Sequence, residues 1–175
     1  LVGDSFVQGV AAEDEETFGW LLAREFKDHR FVNLGVAAYG TDQELAQLER
    51  YMKSHPNTVV SDVIVVVFEN DFQDVQRSVD PYIGRTKPVY HVDHKGLSRG
   101  SYQLSWRDYL MDTSRLVWLI QSKWARMFAP PDPPATAGIP VVTACLEAVR
   151  AVAATRGAKV HVFAHREPSI PTMDQ

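Results

Sequence analysis

A serine at a tight bend, a glycine-bearing loop and a side-chain amide follow one another at three successive strand ends of this chain. Val2-Gly3-Asp4-Ser5-Phe6 reads as the end of a buried strand breaking into a sharp turn. Such a turn presents a serine hydroxyl and the serine's own N–H on the same side. Asn33-Leu34-Gly35-Val36-Ala37-Ala38-Tyr39-Gly40-Thr41 and Val65-Val66-Val67-Phe68-Glu69-Asn70-Asp71 each follow a hydrophobic run and open a loop. In a parallel sheet the carboxyl ends of the strands lie side by side, which is where open α/β sheets hold ligands. A serine, a closely approaching backbone loop and a side-chain amide together make a nucleophile with an oxyanion hole. Gly3-Asp4-Ser5 taken alone is ordinary turn chemistry; the two later segments favour the chemical reading.

Gly-Asp-Ser-Phe, Asn-Leu-Gly-Val-Ala-Ala-Tyr-Gly-Thr and Glu-Asn-Asp, in that order and spacing, resemble the SGNH (GDSL-type) serine hydrolase superfamily over roughly the first 75 residues. The resemblance implies a flavodoxin-like three-layer α/β/α sandwich with a central parallel sheet, and cleavage of carboxylic esters. Position by position, it implies Ser5 as nucleophile and backbone oxyanion donor, and Asn70 as side-chain oxyanion donor. The family's glycine donor falls on Ala38, which supplies the same backbone N–H if its φ is negative. Phe68 stands where many relatives have glycine. The resemblance also leaves open O-acetyl transfer to or removal from a glycan, and a non-catalytic binding module on a degenerate hydrolase fold.

The family's last block, an aspartate three residues before a histidine, has no counterpart here. His29, His55, His91, His94, His161 and His165 all lack that aspartate. A serine without a base is a weak nucleophile. The sequence therefore reads as a fragment, beginning at Leu1 and ending at Gln175, with its general base expected downstream and little activity of its own. His165, closing a late strand, is the alternative base; a true pseudoenzyme is the other alternative.

Composition fits one domain over residues 1–175: 45% hydrophobic and 23% charged residues are ordinary for a globular fold. A net charge of −4 argues against a basic nucleic-acid face. Cys145 is the single cysteine, so it forms no internal disulfide, and its apolar run predicts burial. No cysteine–histidine spacing suits zinc. His91, Asp93 and His94 could contribute metal ligands, but a solvated hairpin accounts for them better. No cofactor or metal is expected; the partner is a small-molecule, glycan or lipid ester. No stretch reads as apolar enough for a membrane span, and localisation is left open.

These residues must be positioned by βα units. Helical spacing over 17–26 predicts an amphipathic helix burying Phe18, Leu21, Leu22 and Phe26. A strand is expected over 31–34. A helix then opens at Thr41 or Asp42, with Glu44 completing a capping box, and ends at His55-Pro56-Asn57. The unalternating run 63–68 predicts a strand buried on both faces. An insertion over about 72–138 follows, with a hairpin at 87–97 and a helix over 106–127 whose aromatics pack in a core, or else wall the active site. Pro130-Pro131-Asp132-Pro133-Pro134 reads as a stiff linker. A helix from Ile139 to Arg156, a Gly157 cap and a strand over 158–164 complete the chain.

Overall fold

The computed structural model describes residues 1–80, 84–100, 105–128 and 131–165. Elements in chain order are α1 (Ser5–Gln8), a 3₁₀ turn at Asp14–Glu16, α2 (Phe18–Glu25), α3 (Thr41–Ser54), β1 (Asp62–Phe68), α4 (Asp71–Asp74), β2 (Tyr90–Asp93), β3 (Gly96–Arg99), α5 (Trp106–Thr113), α6 (Arg115–Met127), α7 (Ala135–Ala154) and β4 (Lys159–His165). The architecture is mixed α/β around a small parallel sheet, in which β1 pairs with β4 and Val65 lies opposite Val162.

Two irregular extended segments widen this sheet. Val2 N–H donates to Ile64 at 2.8 Å and Val66 N–H to Val2 at 3.0 Å, so residues 1–3 run parallel to β1. Leu34 N–H donates to Leu1 at 2.8 Å and Val36 N–H to Gly3 at 3.1 Å. The expected strand over 31–34 is therefore extended and hydrogen-bonded, but not a regular strand. The segments stand in the order 32–36, 1–3, β1, β4.

α3 and α7 cover one face of the sheet. Val63, Val65 and Val67 of β1 meet Leu45, Leu48 and Met52 of α3 and Val142, Cys145 and Val149 of α7. Cys145 is fully buried, as its apolar run predicts. The expectation that β1 is buried on both faces is corrected: Ile64, Val66 and Phe68 are only half-buried, and Phe163 of β4 is exposed. α2 forms where expected, with Thr17 Oγ1 accepting from Trp20 N–H at 3.3 Å. It buries none of its residues, however, and Leu21 and Phe26 face solvent.

α3 begins one residue earlier in the capping frame than its sequence suggests. Gly40 is the N-cap and no side chain caps the helix. Thr41 therefore occupies the first helical position, where its hydroxyl no longer faces the orphan N–H groups, and the expected capping box is absent. α7 starts at Ala135, ahead of the expected Ile139, and tolerates Pro140 inside it, on its exposed side. Gly138 admits the crossing of α4, since a Cβ there would fall 1.8 Å from the Phe72 carbonyl oxygen. α7 is the one apolar helix of note among the described residues, and it gives no clear membrane span. By length and a mean hydropathy of 1.5 it could cross a membrane, yet Val142, Cys145, Val149 and Ala153 set it in the core. Gly157, at φ 67°, ends it.

In the insertion the hairpin forms as β2 and β3, with Tyr90 opposite Arg99. The expected single helix over 106–127 is two. Ser114, at φ −136° and ψ 113°, breaks it and caps α6 through its hydroxyl. The expected core packing of its aromatics is also corrected: Trp106, Trp118, Trp124 and Phe128 are exposed. Of the proline linker, Pro130 lies outside the described residues, and Pro134 caps α7.

Candidate functional site

The three expected turns meet at the carboxyl edge of the parallel segments. Asp4 caps α1, its carboxylate accepting from Phe6 N–H at 2.9 Å, and this places Ser5 at the first helical position. Asn33 ties the second loop to that turn: its amide donates to Val7 at 2.7 Å and its oxygen accepts from Gly35 N–H at 2.9 Å. A Cβ on Gly35 would lie 2.4 Å from the Gln8 nitrogen, so glycine is what permits the approach. Gln8 returns the contact by accepting from Ala37 N–H at 2.6 Å.

Ala38 carries a φ of 64°. The negative φ under which alanine was expected to serve is not what occurs. The backbone takes the left-handed conformation that glycine adopts without cost, and an L-residue pays roughly 1–2 kcal/mol there.

Asn70 stands at the start of α4, directly after β1. Its amide donates to Asp74 at 2.9 Å, with the Asp4 carboxyl close by. Phe68, the aromatic in place of a small residue, stacks on Phe6 with centroids 4.0 Å apart and planes 13° from parallel. Its ring also lies 5.1 Å from that of His165, which β1–β4 register sets directly opposite it. His165 thus reaches the same edge as Ser5, across a row of two phenylalanines.

Beneath this edge lies a feature that sequence reading missed. Asp4, Asp42, Glu44, Asp71 and Asp74 are all buried. Asp71 accepts from Phe68 N–H at 2.8 Å, fixing the loop after β1, and Asp42 accepts from Gln43 N–H at 2.9 Å within the first turn of α3. Both oxygens of Glu44, the second oxygens of Asp42 and Asp71, and the Thr41 hydroxyl have no hydrogen-bond partner among the described residues. Burial pushes the Asp71 carboxyl up to about 8, and the charges of Asp4 and Asp74 push the same way. Burial likewise raises Asp42 to about 6, against the pull of Lys87. Glu44 is raised well above the carboxylate range, by burial first and then by Asp71, Asp4 and Asp42. Neutral carboxyls are the physical answer to charges crowded away from water.

The signal in the sequence was Asp42 and Glu44 at the start of α3, which the expectation of a capping box accounted for. Lys87, itself buried, comes down from the insertion to donate to Gln43 at 3.0 Å. Among the described residues no group of three or more histidine, cysteine, aspartate or glutamate side chains is arranged to hold a metal ion. His91 and Asp93 lie on the exposed β2 and His94 in the turn after it.

No family model matches this chain, and neither a curated protein nor a solved structure matches it.

Proposed function

We propose that this chain is a serine esterase of the SGNH type, built on a flavodoxin-like sheet, with Ser5 as its nucleophile. The observation that carries the reading is the meeting of the Ser5, Ala38 and Asn70 turns at one edge of adjacent parallel segments, held by the Asn33 and Gln8 bonds. The Ser5 oxygen attacks the ester carbonyl carbon, its proton passes to a base, and the leaving alkoxide takes a proton as the C–O bond breaks. The N–H groups of Ser5 and Ala38 and the Asn70 amide face the developing oxyanion. An oxyanion there meets the nearby Asp4 carboxyl, a repulsion eased when Asp4, raised by burial, is protonated. His165 is the first histidine to test as base, because its ring contacts Phe68 at this edge. The acyl acceptor is water or a glycan hydroxyl.

A second reading, a non-catalytic binding module, is favoured by one observation: the Asn70 amide is already engaged by Asp74. Labelling with a fluorophosphonate, followed by peptide mapping, separates the two. Esterase chemistry predicts a label on Ser5 that disappears in Ser5→Ala. A Ser5 that stays unlabelled both in this folded chain and in one extended past Gln175 overturns the esterase reading in favour of the module. Loss of the label in His165→Ala would assign the base.

A further inference from the structure

α6 is turned inside out. Leu116, Leu119, Ile120, Lys123, Trp124 and Met127 recur at the spacing of a single helix face, and that face points to solvent. Leu116 is 65% exposed, Ile120 55%, Trp124 63% and Met127 73%. The inward side carries Ser122, Gln121 and Ala125 beside a half-exposed Trp118: Ser122 is buried, and Gln121 and Ala125 rest against Gly84. A helix of a globular domain normally does the reverse, and a contiguous apolar face of this kind marks an interaction surface.

Charge indicates which surface it fits. α6 carries Arg115, Lys123 and Arg126 and no acidic residue, within a chain of net charge −4. Among the described residues none of these three forms a salt bridge. Tryptophan and leucine on an outward face, with lysine and arginine among and beside them, suit the plane between lipid headgroups and acyl chains.

We propose that α6 docks this protein on anionic phospholipid bilayers, lying in the interface rather than crossing it. The docking element is fastened to the candidate site. Asp108 of α5 accepts from Thr86 N–H at 3.1 Å, and the next residue, Lys87, donates to Gln43 at the start of α3. A bilayer-bound α6 therefore holds the carboxyl edge of the sheet close to the membrane surface.

The test is co-sedimentation of the 175-residue chain with phosphatidylcholine vesicles, with and without phosphatidylglycerol. The chain should bind the anionic vesicles, release with added salt, and show a blue shift of tryptophan emission on binding. Lys123→Gln with Arg126→Gln should weaken binding by on the order of tenfold or more, given the contribution of each basic residue at an anionic surface. Ile120→Asp should abolish it; both sites are exposed, and circular dichroism checks that the fold is kept. No binding to anionic vesicles overturns the proposal. So does binding that these variants leave unchanged, or a lipid-independent dimer, seen by sedimentation and lost in Ile120→Asp, in a chain that ignores vesicles.

Discussion

Asn70 and Asp74 are joined by a 2.9 Å hydrogen bond across the single turn of α4, and Arg77 holds the far oxygen of Asp74 at 2.6 Å. The amide at the end of β1 is thereby fixed in plane rather than free to rotate. If it stabilises an oxyanion, Asn70→Ala should lower turnover by about two to three orders of magnitude while leaving the fold intact. Steady-state ester hydrolysis with circular dichroism checks this. Asp74→Asn keeps an acceptor for the amide and should cost far less; full activity in Asn70→Ala removes the amide from the mechanism.

Ala38 predicts a gain. Its φ of 64° burdens an L-residue but not glycine. Ala38→Gly should stabilise the chain by about 1 kcal/mol, once the greater freedom of glycine in the unfolded state is counted. For a chain of this size that raises Tm by roughly 2–4 °C. A melting curve that moves downward would contradict the left-handed geometry.

The buried carboxyls give stability a definite pH slope. Asp71 ionises at about 8 in the folded chain against an ordinary 3.8. The folded state thus keeps a proton that the unfolded state releases. This contribution is fully present below about pH 4 and is lost as pH rises through about 8. Asp42, raised to about 6, acts in the same direction over a narrower window. Asp71→Asn can still accept from Phe68 N–H. It should match the wild type in acid and exceed it at pH 8, as read from urea midpoints along a pH series. An unchanged pH slope in that variant would refute the assignment.

Glu44 is fully buried with neither oxygen partnered among the described residues. Glu44→Met keeps much of the volume and removes the unsatisfied group, so it should stabilise the fold by about 1–3 kcal/mol. Chemical denaturation measures this. A loss of stability instead would mean that the carboxyl is hydrogen-bonded in solution.

Cys145 is fully buried, and burial pushes its thiol up to about 12. A disulfide-exchange reagent should leave it untouched in the native chain and modify it completely in denaturant. Rapid modification of the native chain would show that α7 separates readily from the sheet.

The amino-acid sequence by itself determined the local elements and their punctuation. Unbroken β-branched residues at 63–67 made β1, the His55-Pro56 stop ended α3, and alternation around Lys95-Gly96 made the hairpin. The order Ser5, Ala38, Asn70 was equally legible, because turn residues at strand ends are local chemistry. What only the tertiary structure decided was the direction each side chain faces. Periodicity identified an amphipathic α6 but could not say which side meets the protein, and Gly84 selects the small side through Gln121 and Ala125. Asp42 and Glu44 read as helix-start acids; the fold sets Glu44 near Asp4 and Asp71, and Asp42 near Asp74, from loops distant in sequence. Burial and electrostatic coupling depend on residues far apart along the chain, and no spacing rule within one element contains them.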